Sequence, residues 1–196
     1  MATKKLQHKV LIVSGSDKVY DFLISLLPTT EFSPIARANS AGEAKRILLS
    51  SSFDLLLINT PLPDDFGLEL ALDMCENTIG IMLLVKNDML DQVTYRAEDR
   101  GIFTIAKPNT KQTVYSAVKL LTAMTQRLKA MEQKTRSLQD KMADIRAINR
   151  AKLLLIENLR MNEQEAHHYI EKQAMNLRAP KREIAENIIR TYDSHL

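Results

Sequence analysis

Two groups of residues have types and spacing suited to chemistry. The first gathers at the ends of short apolar runs: Ser14 and Gly15, then Asn59, Leu84 and Lys107. Aspartyl phosphorylation needs a nucleophilic carboxylate, further carboxylates to hold a divalent cation, and a hydroxyl and a lysine to neutralise the phosphoryl oxygens. Asn59 carries an amide, which cannot serve. Ser14 and Gly15 offer no carboxylate. Asp17, Asp64 and Asp65 are the acids that could substitute. They read instead as a helix N-cap (Asp17) and turn residues (Asp64, Asp65). Lys107 is then left to make a hydrogen bond at the strand ends.

The second group lies on one C-terminal stretch. Tyr169, Lys172, Gln173 and Asn176 fall at i, i+3, i+4 and i+7, so a helix shows them on one face. An aromatic can stack on an unpaired base, amides can read base edges, and a lysine can meet phosphate. The same four residues equally describe a solvated polar face with Tyr169 half packed at its edge. Arg150, Lys152, Arg178, Lys181 and Arg182 are candidate neutralisers of a polyanion backbone, or else surface cations paired with Glu171, Glu183 and Glu186.

No other catalytic constellation is present in the sequence. It has no Gly-x-Gly-x-x-Gly, no phosphate-binding loop and no Gly-x-Ser-x-Gly. His167 and His168 are neighbours on a helix, about 100° apart, which does not suit shared zinc ligation. Cys75 is the one cysteine, so neither an internal disulfide nor a cysteine-based zinc site follows. No metal and no cofactor are expected, and the chain is not expected to be an enzyme. No run is long enough for a signal peptide or a membrane span, which points to the cytoplasm and to no membrane partner. Of 196 residues, 45% are hydrophobic and 26% charged, an ordinary globular balance. Residues 1–121 carry a net charge of −1 and residues 122–196 a net +4, a mild basic bias toward the C-terminal side.

The elements that must position these residues follow from periodicity. Residues 10–13, 32–36, 53–58, 81–85 and 102–106 are short apolar runs that read as buried parallel strands. Amphipathic helices are expected at 17–27, 41–49, 66–75 and 89–100, with a fifth from about 110. Ser40 and Glu43 are placed as a capping box for the second. Strand and helix alternate five times, which predicts an α/β, doubly wound, five-stranded parallel sheet.

No Pro or Gly interrupts 110–159. There Met124, Leu128, Met131, Thr135, Leu138, Met142, Ile145 and Asn149 step alternately by four and three, a heptad seam. The seam predicts a parallel dimeric coiled coil, and its methionines make the pairing adaptable. The alternative is a helix packed on its own domain. The long helix runs to about 159, Asn162 with Glu165 caps a second helix, and Pro180 opens a third. Apolar stripes at Ile148, Ala151, Leu155 and Leu159, at Ala166, Ile170, Ala174 and Leu177, and at Ile184, Ala185, Ile188 and Ile189 predict a small three-helix bundle.

The α/β half resembles a response-regulator receiver domain. The resemblance rests on Phe53-Asp54-Leu55-Leu56-Leu57-Ile58-Asn59-Thr60-Pro61-Leu62-Pro63, Gly67-Leu68-Glu69-Leu70 and Lys107-Pro108. It places the phosphoacceptor at Asn59, the acidic pair at Ser14 and Gly15, the hydroxyl switch at Leu84 and the switch aromatic near Thr104. Only Lys107 matches, so the implied domain is a pseudo-receiver without aspartyl phosphorylation. The tail resembles the ANTAR domain. The matching stretches are Arg150-Ala151-Lys152, Met161-Asn162-Glu163-Gln164-Glu165-Ala166, Tyr169-Ile170-Glu171-Lys172-Gln173-Ala174-Met175 and Arg182-Glu183-Ile184-Ala185-Glu186-Asn187-Ile188-Ile189. Leu153 stands where that family usually has Gly, and Ile145, beside Arg146, where it usually has Arg. The resemblance implies a homodimeric RNA-binding antiterminator acting on paired hairpins in a leader transcript. The expected domains are 1–121 pseudo-receiver, 122–147 coiled coil and 148–196 ANTAR-like. A DNA-binding response regulator and a non-catalytic interaction adaptor are the competing expectations.

Overall fold

The computed structural model describes residues 7–192. They form two compact units that divide between Ala130 and Met131. The first unit alternates β1 (His8–Val13), α1 (Asp17–Leu26), β2 (Phe32–Ala38), α2 (Ala41–Ser50), β3 (Leu55–Asn59), α3 (Leu68–Met74), β4 (Gly80–Lys86), α4 (Leu90–Ala97) and β5 (Phe103–Lys107). The helix α5 (Lys111–Leu159) follows. All strands are parallel, in the order β2-β1-β3-β4-β5. The five expected strands are all present, with no end moved by more than two residues.

Helices cover both faces of the sheet, which is why β3 and β4 are almost unbroken apolar runs. Alternate residues go to opposite faces. Leu11, Val13, Leu56, Ile58 and Leu83 pack with residues of α2, α3 and α4. Val10, Ile12, Leu57, Met82 and Leu84 pack with residues of α1 and α5.

Local chemistry at the helix starts differs from the sequence reading in three places. Ser16, not Asp17, occupies the N-cap of α1; Asp17 lies in the first turn, where its carboxylate meets Arg37. Asp64 is more than a turn residue. Its two carboxylate oxygens accept from the Ala41 and Gly42 amides at 2.8 and 2.9 Å, capping α2 from a distant loop. Those two hydrogen bonds lower its pKa. Ser40 accepts from the Glu43 amide as expected, but the Glu43 carboxylate receives the Asn39 amide instead of closing the box. Asp65 is the turn residue expected, accepting from the Gly67 amide.

The packing of α5 carries the first unit past residue 121. Val114, Val118 and Leu121 are buried, and Thr122 and Thr125 continue that face with their hydroxyls donated back to Val118 and Leu121 carbonyls. Gly80 gives Thr125 its room: a Cβ at Gly80 would lie 2.4 Å from Thr125 Oγ1 and 2.9 Å from Leu55 Cδ2. Lys119 pairs with buried Glu31, the Gln126 amide donates to His8 Nε2 at 2.7 Å, and Lys129 pairs with Asp54.

The second unit combines the C-terminal part of α5 with α6 (Glu163–Leu177) and α7 (Lys181–Tyr192). Its core is Ala151, Leu154, Leu155, Ala166, Ile170, Ala174, Ile184, Ala185 and Ile188. Asn162 and Glu165 form the complete capping box expected. Leu159 and Leu177, expected in the stripes, are exposed. Each is the last residue of its helix, so the chain leaves before that face returns to the core. Among the described residues no helix is long and apolar enough to cross a membrane.

Gly80→Ala is expected to cost about 1–3 kcal/mol by overpacking against Thr125 and Leu55, read as a lower urea midpoint with an unchanged slope. Asp54 gives a pH test. Burial alone raises its pKa, but the Lys129 ammonium and the Lys9 amide outweigh that and leave it lowered. A lowered carboxylate pKa adds stability above the unfolded value near ~3.9, lost as pH falls through the folded value. Asp54→Asn should therefore be less stable than the wild type at neutral pH, with the gap closing below about pH 4.

Candidate functional site

Asn59, at the C-terminal end of β3, is buried. Its amide nitrogen donates to Ser14 Oγ at 3.1 Å, and its oxygen accepts from Lys107 Nζ at 2.5 Å. Lys107 also donates to the Thr60 carbonyl. Ser14 in turn bonds the Ser16 backbone through both its lone pair and its hydroxyl. The three positions named from sequence thus meet, and they close the end of the sheet with neutral partners and one cation. Burial, and after it the Lys86 charge, push the Lys107 pKa down. The residue of β4 in register with Lys107 is Lys86; Leu84 is buried with α1 and α5. Thr104 exchanges a hydroxyl bond with Thr94 at 2.7 Å. Among the described residues no group of three or more His, Cys, Asp or Glu is placed to hold a metal ion.

In the second unit the nine residues named as contacts divide. Lys152, Lys181 and Arg182 hold the helices to one another. Lys152 on α5 meets Glu163 on α6 at 3.0 Å, Lys181 on α7 meets Glu171 on α6 at 2.6 Å, and Arg182 on α7 meets Asp144 on α5 at 3.2 Å and Glu186 at 2.7 Å. Lys181 is the main reason the Glu171 pKa is lowered. Glu171 and Glu186 are thus the partners foreseen. Tyr169 is half-buried against the core and Gln173 half-buried beside it. Lys172 and Asn176 face outward. Arg178 is exposed and sits in the left-handed region at φ 50, its amide closing the last turn of α6 on the Ala174 and Met175 carbonyls. Arg150 is exposed on α5. Sequence reasoning missed Met175, 78% exposed beside Lys172 and Asn176. A methionine in an amphipathic helix reads as core, and no local signal corrects that.

Every residue of the heptad seam is exposed in the single chain, from Met124 through Asn149. Met124 and Leu128 join Phe103 and Leu120 in an apolar groove of about 430 Å³ on the first unit. Nothing else in the described chain covers residues 131–140, which are exposed on all sides.

Residues 136–189 match the ANTAR domain family. The C-terminal unit carries an ANTAR domain. The ANTAR match begins inside the seam, ahead of the boundary expected at 148. Over 97% of this chain and 93% of the relative, the transcriptional regulatory protein PdtaR of Mycobacterium tuberculosis is 22% identical. The aliphatic amidase regulator of Pseudomonas aeruginosa is 35% identical over 66 residues, 34% of each chain. The first unit is similar to the signal receiver domain of an HD domain-containing protein from Pseudomonas fluorescens. That likeness has a TM-score of 0.58 at 21% identity, covering 66% of this chain and 97% of that one. A response regulator receiver domain from Clostridium thermocellum gives 0.55 at 18% identity, covering 62% and 98%. The chain is therefore a receiver fold followed by an ANTAR domain.

Acetyl phosphate with Mg²⁺ is expected to leave the protein unlabelled, because Asn59 cannot accept and no acidic pair stands at Ser14 and Gly15. The check is intact mass after incubation; an added, base-labile phosphate on any aspartate contradicts it.

Proposed function

We propose that the chain is an RNA-binding transcription antiterminator that acts as a cytoplasmic homodimer. On this reading the ANTAR domains hold a pair of small hairpins in a leader transcript, and a competing terminator hairpin then fails to form. The receiver-like unit works without aspartyl phosphorylation, and no cofactor takes part. The observation that carries the reading is the ANTAR match over 136–189. It is supported by an outward face of α6 on which Lys172 and Asn176 have no ion-pair or hydrogen-bond partner among the described residues.

The dimer is assigned to the seam because each of its apolar residues is more than half exposed. Leu128 and Leu138 are 58% and 53% exposed. A monomer therefore tolerates Asp at both places, whereas a two-stranded core would bury four carboxylates at several kcal/mol each. The double variant Leu128→Asp, Leu138→Asp is expected to be monomeric by light scattering with an unchanged circular dichroism spectrum of the first unit. A dimer of unchanged mass refutes the seam.

The central test is gel-shift binding of the full chain to tandem hairpin RNA and to duplex DNA of matched length at about 150 mM salt; purely electrostatic binding treats them alike. Preference for the DNA would favour a DNA-binding regulator, and binding to neither an interaction adaptor. Lys172→Ala should weaken RNA binding and lower the slope of log K against log salt by about 0.7–0.9. Tyr169→Ala should lower the melting temperature together with affinity, because its ring also packs on the core.

A further inference from the structure

A second cavity lies on the first unit, separate from the apolar groove beside α4. It has a volume of about 220 Å³ and opens between α1, the end of β5 and the start of α5. Val19, Phe22, Leu84, Ala106 and Val114 make its walls, and Lys18 and Lys107 stand among its lining. At ~30 Å³ per water-sized group it holds about seven such groups. Its place is the C-terminal end of a parallel sheet, the end at which open α/β folds bind their ligands.

The lining of the cavity carries two cations and no acid. Lys107 has three donors. Two are used, both on neutral oxygens, those of Asn59 and Thr60. Burial and, after it, the charge of another cation, Lys86, disfavour the charged form of Lys107. Lys18 is exposed and has no hydrogen-bond or ion-pair partner among the described residues. Asp17, the acid next to it in the chain, is taken by Arg37. Asp64 and Asp65 are taken by backbone amides. The arrangement is an apolar cavity with cations and no acid of its own.

We propose that this cavity binds a small aliphatic carboxylate. Its hydrocarbon tail lies against Phe22, Leu84 and Val114, and its carboxylate meets the Lys107 and Lys18 ammonium groups. The ligand supplies the negative charge that the lining of the cavity lacks. It sits against the first turns of α5, so its presence is felt by the helix that carries the seam. The proposal is independent of what the ANTAR domain binds.

The test titrates the full chain with sodium heptanoate, with sodium chloride matched, and follows amide shifts in ¹H–¹⁵N spectra together with the melting temperature. Heptanoate is expected to shift amides of Val19, Leu84, Ala106 and Val114 saturably and to raise the melting temperature. Heptanamide, the neutral analogue, should bind at least tenfold more weakly. Lys18→Met should weaken heptanoate about tenfold without altering the apo melting temperature. Ala106→Leu, which fills the cavity and removes no charge, should abolish binding even where Lys107→Met fails to fold. No saturable shift up to 50 mM overturns the proposal. So does equal binding of heptanamide, or a shift pattern centred on Phe103, Leu120 and Met124, which would put the tail in the other groove.

Discussion

The amide of Asn59 is the interaction on which the functional end of the first unit depends. It stands where β1, β3 and β5 finish, and it donates to one neighbour and accepts from the other. A carboxylate there could accept from Lys107 but could not donate to Ser14, and it would bring a buried charge in need of further cations. With the amide, the strand ends are joined by hydrogen bonds that need neither metal nor phosphate. The amide also leaves Lys107 with neutral hydrogen-bond partners only, the Asn59 oxygen and the Thr60 carbonyl.

The second constraint is the uninterrupted backbone of α5. No Pro or Gly occurs in its 49 residues, so neither of the usual helix breakers interrupts its hydrogen bonding. Its residues answer three different surroundings in turn. Up to Thr125 they pack on the sheet, where Gly80 makes room for them; through the 130s they are exposed on all sides; from Ala147 they enter the three-helix core. Polar groups fasten the first stretch: Lys119 on Glu31, Gln126 on His8, Lys129 on Asp54. The exposed middle carries an i,i+4 pair, Arg136 with Glu132, along with the heptad spacing.

Much of this was legible in the sequence. The parallel sheet was, because a strand buried on both faces must be apolar at consecutive positions, and five such runs alternated with helical spacing. The meeting of Ser14, Asn59 and Lys107 was also legible, since parallel strands of similar length end together. What escaped depended on distant partners. Asp64 looks like a turn residue until α2 is seen to start against it, 23 positions earlier in the chain. Lys86 enters register with Lys107 through strand pairing that residue spacing does not state. Glu163 as the partner of Lys152, and Asp144 as the second partner of Arg182, lie on other helices and have no signal in the local spacing. Leu159 and Leu177 fit their stripes by periodicity, but periodicity does not say which turn is the last.

Those three basic residues have a consequence for how the ANTAR domain meets any polyanion. A phosphate arriving at Lys152, Lys181 or Arg182 finds a carboxylate already there. To make the contact it must displace Glu163, Glu171, or Asp144 and Glu186, and the freed acid gathers a cation from solution. The exchange returns less salt to the bulk than a contact with a solitary lysine. The Lys181 and Arg182 pairs are solvent-exposed and individually weak, so the exchange is easy there, whereas Lys152 is only 16% exposed; in each case it comes at the expense of the links between α5, α6 and α7. Polyanion occupancy and looseness of the helical bundle are in this way two readings of one competition for the same three side chains.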